Sequence, residues 1–234
     1  MDVDTAHLVR VRQVHGTMVV VARQAGAEGP GGPGVPDADI IVSDNPDLAL
    51  AVQAADCVPI LIADRRTGAV AAAHAGWRGL SVRVPAATVA ALGREFGSQR
   101  RDLVAAIGPA IGSCCYEVGV EVFQRFVRTG FTGDQMGRWF LSQPAPSARN
   151  ATVIPGLPGP PGPSLPGASR EDHWYFDAWA SAREQLEAVG IPAAQIFVAE
   201  LCTASHPDWL CSYRRDGSPA GRLAGAIRSL RRRP

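Results

Sequence analysis

Three polar side chains interrupt or end apolar runs of this sequence, where a strand can deliver a reactive group. His15 stands in "RQVHG", Cys57 in "AADCVP" and His74 in "AAAHAGWRGL". Two imidazoles and one thiolate are a familiar zinc set, and three protein ligands leave the fourth position open for water. Water at such a site is acidified to about pH 7 and can supply a nucleophile. The residue types predict a catalytic metal site. Their spacing matches no zinc-finger pattern, and each histidine alone also fits a core or surface role.

Further polar residues adjoin these three in the sequence. Asp56 precedes Cys57, and Arg78 follows the "HAGW" turn, so both can reach the ligands or a bound anion. In "SYRRDG", Arg214 and Arg215 follow a predicted strand end, where an arginine fork can grip a phosphate or a carboxylate. The same charge run also fits a solvated turn.

The cysteine count favours a reducing compartment. The chain has five cysteines, an odd number at irregular spacing, rather than a disulfide framework. Cys114 and Cys115 precede a predicted helix, where a thiol has a lowered pKa. Small residues packed beneath a glycine turn are the simpler interpretation of this pair. Cys202 and Cys211 are predicted to be core residues.

Composition excludes several classes of protein. The 234 residues carry a net charge of +1, and the arginines that make up all 23 basic residues are scattered along the chain. This balance favours neither nucleic acid nor an anionic membrane as a partner. No apolar run approaches the roughly 18 residues of a membrane span, and no signal peptide opens the chain. We therefore expect a cytoplasmic protein.

Periodicity predicts blocks of strands with fewer helices. Strands are expected in two short pieces or one bent piece over 8–22, as consecutive members of one sheet over 40–74, and again over 102–112 and 195–205. Helices are expected to end at Gly97, to cover 114–127, and to follow a strand within 173–191. This pattern predicts an α+β or mixed-sheet α/β fold, a mixed β-sheet flanked by helices, in one domain over 1–234. The Pro/Gly-rich segment 144–169 is predicted to be a surface insertion.

Five motifs occur in the order and approximate spacing of one bacterial family. They are "RQVHG", "AADCVPILIAD", "AAHAGWRGL", "IGPAIGSCCYEVG" and "CTASHPDWLCSYRRDG". On these motifs the chain, from residue 9 to about 227, resembles the YfiH-like laccase-domain proteins. That family is also described as multicopper polyphenol oxidases, peptidoglycan editing factors and purine nucleoside phosphorylases.

The resemblance implies a fold, a metal site and a chemistry. Members have a single mixed α/β domain and bind zinc through residues that correspond to His15, Cys57 and His74. The family is associated with phosphorolysis of adenosine, inosine and methylthioadenosine, and with deamination of adenosine. The implied partners are therefore purine nucleosides and phosphate, and we expect a monomer or a homodimer.

Roles for the remaining residues are our own assignment. Asp56 can shuttle protons beside the metal. Arg78, Arg214 and Arg215 can hold phosphate against the ribose. Trp77 can wall the pocket and receive a purine face or an anion.

The chain departs from the family pattern in two places. Family members carry a longer segment ahead of the first motif, whereas fourteen residues precede His15 here. We expect an edge strand and part of the pocket to be missing. The Pro-rich insertion is the second, milder departure.

Three alternatives stay open. A His2Cys set can also hold one copper ion, but a four-copper oxidase needs about eight imidazoles for its trinuclear cluster, by copper's preference for such ligands. Five histidines exclude that enzyme. Cys57 can instead be a nucleophile with His74 as base, in a hydrolase that edits peptidoglycan precursors. The third alternative is an inactive zinc-binding module.

Overall fold

The computed structural model describes residues 4–24, 35–147 and 170–230. Within these ranges the chain forms three sheets and six α-helices, so the prediction of a mixed α/β fold is confirmed. Most of the predicted insertion at 144–169 lies outside the described residues. None of the helices in the described ranges has the length and apolar character needed to span a bilayer.

The elements follow the predicted order closely. The strands are β1 Leu8–Val9, β2 Val19–Val21, β3 Ile40–Ser43, β4 Ala49–Ala54, β5 Val58–Asp64, β6 Val70–Ala75, β7 Leu103–Ile107, β8 Glu117–Gly119, β9 Phe140–Leu141, β10 His173–Phe176, β11 Ile196–Val198 and β12 Leu223–Arg228. The helices are α1 Trp77–Ser81, α2 Val84–Phe96, α3 Val120–Arg128, α4 Gly133–Trp139, α5 Ala178–Ala188 and α6 Tyr213–Asp216. Helix α2 ends at Gly97, whose φ of 64° suits a glycine cap.

The central sheet has six strands in the order β11-β7-β5-β6-β3-β2. β6 lies in its middle and all six of its residues are buried, because both faces of the sheet are covered. Ala71 and Ala73 pack into the cluster that contains residues of α2 and α5, whereas Ala72 belongs to the cluster on the opposite face. The alanine run at the centre of β6 therefore lets layers on both sides approach closely.

The expectation of one sheet over residues 40–74 is wrong for β4. This strand pairs with β1 and β12 in a separate three-stranded sheet. β3 is already bonded to β2 on one side and to β6 on the other, so it has no open edge for β4. The chain therefore folds β4 over the central sheet, where Leu50 and Val52 pack in one cluster with Ala72.

The helix expected over 114–127 begins later than predicted. Cys114 and Cys115 lie in a turn, β8 follows, and α3 starts at Val120. Tertiary pairing decides this difference, because β8 bonds antiparallel to β10, which arrives from more than fifty residues further along the chain. The two cysteines are therefore not at a helix N-terminus.

Candidate metal centre and active site

The three predicted ligands converge at one point of the fold. His15 follows β1 in a loop, Cys57 lies between β4 and β5, and His74 is near the end of β6. One donor atom from each lies within 4.8 Å of the others. Cys57 Sγ is 3.8 Å from His15 Nε2, and the two imidazole rings meet edge to face with centroids 4.8 Å apart. This cluster can hold a metal ion.

A buried carboxylate, Asp39, fixes two of these ligands. Asp39 Oδ1 accepts a hydrogen bond from His74 Nδ1 at 2.8 Å, which leaves Nε2 to face the cluster. The same carboxylate accepts from the backbone N–H groups of Val14, His15 and Gly16 at 3.2, 3.0 and 2.6 Å. A carboxylate behind a metal-binding histidine sets the tautomer and orientation of the ring.

The backbone near His15 is held in an uncommon conformation. His15 has a φ of 61°, in the left-handed region that few non-glycine residues adopt. Besides Asp39, the side chain of Gln13 anchors this loop, donating to Gln53 O and accepting from Gln53 N, both at 2.7 Å. These hydrogen bonds tie the first motif to β4 and compensate for the conformational strain.

Without a metal, the cluster favours a charge-separated state. Burial opposes ionisation of the Cys57 thiol, but hydrogen bonds and positive charge from His15 and His74 outweigh burial and lower its pKa to about 7. Burial likewise disfavours the His74 cation, yet hydrogen bonds to Asp39 and Cys57 raise its pKa to about 9. For Asp39, burial is again opposed by the hydrogen bonds from His74 and the loop N–H groups, which keep its pKa below the usual range.

The space around the cluster fits a bound ion. A Cβ atom added to Gly76 would lie 2.8 Å from Cys57 Sγ and 2.9 Å from His15 Cδ2. Because Gly76 has a φ of −70°, its backbone conformation does not require glycine. The close contacts do require glycine at this position, since any larger residue would displace Cys57 and His15. The donor set, the supporting carboxylate and this small residue together fit a three-ligand metal site.

Asp56 connects the cluster to two segments that are distant in the sequence. Its Oδ1 accepts a hydrogen bond from Thr203 Oγ1, and its Oδ2 accepts one from the backbone N–H of Arg214, each at 2.6 Å. Asp56 has a φ of 85°, a second left-handed non-glycine residue beside the cluster. Its carboxylate therefore ties α6 to the loop that precedes it, and Asp56 lines the same cavity as Cys57.

A cavity of about 700 Å³ opens over the cluster. Its volume lies within the range of small-molecule sites. It brings together seven of the eight predicted site residues; the full lining is Val11, Arg12, Gln13, His15, Gln53, Ala54, Ala55, Asp56, Cys57, His74, Trp77, Arg78, Tyr116, Tyr213, Arg214 and Arg222. The cavity wall therefore combines aromatic side chains with arginine side chains.

The predicted anion-binding arginines differ in their placement. Arg78 stacks over the indole of Trp77, with its guanidinium carbon 4.4 Å from the ring centroid, so one face of Trp77 is covered. Arg214 lies over the Tyr116 ring and donates to Glu117 O at 3.0 Å. Arg215 does not line the cavity. Its guanidinium instead donates to Asp216, to Thr203 O and to Leu210 O, which braces α6 against the neighbouring loop.

Sequence reasoning missed several residues of the site. Asp39, outside the five motifs, orients His74, and Thr203, inside the fifth motif, holds Asp56. Tyr116, Arg12 and Arg222 complete the cavity wall. A signal for Asp39 existed, since it stands directly before the apolar run "IIVS" at the head of a strand. Burial raises the pKa of Tyr116, so its hydroxyl stays protonated and can donate a hydrogen bond into the cavity.

The fold and the cluster define a mixed α/β protein with a His–Cys–His cluster, able to hold a metal ion, beneath an arginine-lined cavity. A family model described as "Multi-copper polyphenol oxidoreductase laccase" matches residues 1–149 and 161–229. The chain belongs to this family, which confirms the resemblance seen in the five motifs.

Curated relatives carry a different name from the family model. The chain is 33% identical over 189 residues to a purine nucleoside phosphorylase of Bacteroides thetaiotaomicron, covering 81% of this chain and 60% of that protein. It is 35% identical over 228 residues to a purine nucleoside phosphorylase of Streptomyces coelicolor, covering 97% of this chain and 77% of that one. Relative to the Bacteroides protein, the chain therefore spans less than two thirds of the length.

A solved structure shares the architecture. The crystal structure of a hypothetical YfiH protein from Bacillus licheniformis superposes with a TM-score of 0.78 at 28% identity, covering 98% of this chain and 76% of that one. YlmD from Geobacillus stearothermophilus gives a TM-score of 0.74, also at 28% identity, over 97% of this chain and 74% of that one.

Proposed function

We propose that the chain is a zinc-dependent purine nucleoside phosphorylase that also deaminates adenosine. One observation carries the proposal: a single cavity unites the His–Cys–His cluster with the arginines Arg78 and Arg214. Phosphorolysis needs an anion held beside a nucleoside, and the relatives bear the name of that activity. Its substrates are a purine nucleoside and inorganic phosphate.

The chain's own residues divide the work of the reaction. His15, Cys57 and His74 would hold the ion, and Asp39 orients His74 and the His15 loop. When bound, the ion supplies Lewis-acid chemistry beside the substrate. The imidazole and thiolate donors suit zinc, and also suit copper.

Arg78 and Arg214 are proposed to hold phosphate, since planar guanidinium groups bind its oxygens in pairs. In phosphorolysis a phosphate oxygen forms a bond to the ribose anomeric carbon, the bond to the purine nitrogen breaks, and the purine takes up a proton. Asp56 lies beside Cys57 with one lone pair remaining on each oxygen, so we propose that it relays this proton from the attacking hydrogen phosphate to the purine. In deamination, Asp56 would pass a proton from the attacking water to the departing ammonia.

The purine is proposed to occupy the aromatic side of the cavity. One face of the Trp77 indole is covered by the Arg78 guanidinium. A base that stacks on that side would therefore lie against the guanidinium. The protonated Tyr116 hydroxyl can donate to a ring nitrogen. Tyr213 adds a third aromatic side chain to the wall.

The test is chromatography of adenosine incubated with the zinc-loaded chain, with and without phosphate. We expect adenine and ribose 1-phosphate to appear only with phosphate, and inosine to appear without it. Cys57→Ala should lose both products, whereas Cys211→Ala, a cysteine outside the cavity lining, should retain them. Zinc bound at the His–Cys–His cluster with neither product formed would overturn the proposal.

One observation favours a second candidate. The lowered pKa of Cys57 beside a protonated His74 resembles the ion pair of cysteine nucleophiles. A cysteine hydrolase acting on peptidoglycan precursors would gain activity when zinc is removed, because zinc occupies its nucleophile. The phosphorylase would lose activity under the same treatment, so chelation followed by zinc addition separates the two.

A further inference from the structure

Three cysteines form a second cluster of possible metal ligands, one of them next in sequence to Thr203, which holds Asp56. The Sγ atoms of Cys114, Cys115 and Cys202 all lie within 4.8 Å of one another. Cys114 and Cys202 are buried, with 1% and 0% of their surfaces exposed, and Cys115 is half-buried. None of these residues takes part in the proposed reaction, and none lines the cavity over the first cluster.

The fold builds this cluster from two parallel strands. β7 and β11 run side by side, and the segments that follow them remain paired through a bridge between Ala110 and Cys202. The backbone N–H of Gly112 donates to Cys202 Sγ at 3.3 Å. The turn that begins at Gly112 then brings Cys114 and Cys115 back toward Cys202, with their own sulfur atoms 3.2 Å apart.

Gly112 is required by close packing at this point. A Cβ atom there would lie 3.0 Å from the Trp179 ring and 3.3 Å from Cys202 Cβ. The positions of the thiols are therefore fixed by close backbone packing and not by long, flexible side chains. Such a site is already organised before any ligand binds.

The electrostatics of the cluster are those of a single thiolate shared by its neighbours. Hydrogen bonds from Cys114 and Cys115 lower the pKa of Cys202, and the Gly112 N–H adds to this effect. Contact with Cys115 and Cys202 raises the pKa of Cys114. Further ionisation would bury several like charges together, which is costly unless a cation neutralises them.

We propose that Cys114, Cys115 and Cys202 bind one thiophilic cation of the Zn²⁺ class, with Ser205 Oγ as a fourth donor. Zinc–sulfur bonds of about 2.3 Å in a tetrahedron place sulfur atoms about 3.8 Å apart. The Sγ atoms of Cys114 and Cys115 are 3.2 Å apart and all three sulfur atoms lie within 4.8 Å of one another, so small shifts would reach that spacing. Ser205 Oγ lies 3.4 Å from Cys115 Sγ and 3.6 Å from Cys114 Sγ.

Binding of the cation would be coupled to proton release. Each thiol that is still protonated releases its proton to solvent as the cation binds. Three thiolates and one divalent cation carry one net negative charge. The Arg215 guanidinium, which pairs with Asp216, also donates to Thr203 O at 2.8 Å and to Ala204 O at 3.4 Å, between Cys202 and Ser205 in the chain. Arg215 therefore braces the segment that carries two of the proposed ligands.

The cation would stabilise the wall of the candidate active site. The segment that carries Cys114 and Cys115 continues directly into Tyr116, which lines the cavity. Cys202 precedes Thr203, whose hydroxyl holds Asp56. Cross-linking the two segments through an ion therefore fixes Tyr116 and Asp56 relative to each other without contact with substrate.

The test is a titration of the full-length, metal-stripped chain with Cd²⁺, kept reduced by a phosphine. Cadmium binds the same soft ligands and its thiolate bonds absorb in the ultraviolet. We expect two equivalents to bind. The double variant His15→Ala/His74→Ala, in which the first cluster is disabled, should still bind one equivalent and keep most of the thiolate absorption, because the cluster that supplies three of the four thiolate ligands is unchanged.

Two cysteine variants complete the experiment. Cys115→Ser removes the half-buried member and should lose one equivalent, whereas Cys211→Ser, outside both clusters, should retain two. One equivalent in the wild-type chain together with none in the double histidine variant would overturn the proposal. So would two equivalents in Cys115→Ser. The double histidine variant leaves the thiol cluster untouched, so the test remains decisive if Cys115→Ser fails to fold.

Discussion

Asp39 Oδ1 and His74 Nδ1 lie 2.8 Å apart in a pair that is almost completely buried. The carboxylate also receives three backbone N–H groups of the loop that carries His15. A single side chain therefore orients two of the three proposed metal ligands. Their geometry depends on Asp39 as much as on the ligands themselves.

Replacing Asp39 with asparagine should weaken zinc binding. The amide cannot stabilise the His74 ring or the His15 loop as the carboxylate does, and loss of such a partner costs about 10–100-fold in metal affinity. Competition against a chromophoric chelator measures the change. Asp44→Asn, an exposed acid just after β3, should bind zinc as the wild type does. Equal affinities in the two variants would contradict the role given to Asp39.

Zinc affinity should rise with pH up to about 9. Binding needs an unprotonated His74 Nε2 and a Cys57 thiolate. In the metal-free protein the pKa of His74 is raised to about 9, so between pH 7 and 9 zinc must displace one proton, and its affinity should rise about tenfold per pH unit. Below pH 7 the rise should be steeper, since the pKa of Cys57 is about 7 and its thiol is then also protonated.

The same chelator competition across pH 5.5–9.5 checks this expectation. In Asp39→Asn, the pKa of His74 falls because its hydrogen-bonding carboxylate is lost, so the rise should end at a lower pH. A constant affinity between pH 7 and 9 in the wild type would show that His74 is already neutral there.

Gly76→Ala should impair the metal site through crowding alone. The new methyl group would lie 2.8 Å from Cys57 Sγ and 2.9 Å from His15 Cδ2, so both ligands must shift. We expect zinc affinity to fall at least about tenfold, as for other disturbances of ligand position. Gly137→Ala is the matched control, because nothing lies within 4 Å of its added Cβ in helix α4. That variant should bind zinc normally and gain about 0.5–1 kcal/mol in stability. Unchanged affinity in Gly76→Ala would contradict the fit of the ion.

Arg78→Ala should raise the KM for phosphate in the proposed phosphorolysis. Hydrogen bonds to charged groups contribute about 1.5–3 kcal/mol, which corresponds to about 10–150-fold in kcat/KM for phosphate. Arg125→Ala, an exposed arginine on α3, should leave these constants unchanged. Initial rates of adenine release over a range of phosphate concentrations give both values. An Arg78→Ala enzyme with the wild-type KM for phosphate would remove this residue from the anion site.

Phe126→Ala should destabilise the fold strongly. Phe126 is fully buried and its ring contacts those of Phe131, Trp139, Phe140 and Phe176. Truncating such a residue costs about 3–5 kcal/mol through lost burial and the cavity left behind. Val127→Ala, half exposed on the same helix, should change stability by less than about 0.5 kcal/mol. Denaturant unfolding of both variants compares them, and a similar midpoint for the two would contradict this packing.

Local sequence patterns determined most of the secondary structure and the three candidate metal ligands. Apolar runs defined most strands, and the glycine after "GREF" ended α2. Asp177, which stands between a strand and an amphipathic helical segment, caps α5. The three proposed ligands were recognisable because each polar side chain ends or interrupts an apolar run. These features depend on periodicity, caps and turns within a few residues, which the sequence displays directly.

Tertiary structure alone decided the contacts between distant segments. β4 joins a second sheet because β3 has no open edge, and Asp39 meets His74 across 35 positions through the register of β3 and β6. The thiol cluster forms because β7 and β11 pair in parallel, which brings Cys202 to Cys114 from 88 residues away. Arg214 and Arg215 are neighbours in sequence, yet α6 turns one to the cavity and the other to backbone carbonyls. Strand pairing and register depend on the packing of the whole chain, so no local pattern specifies them.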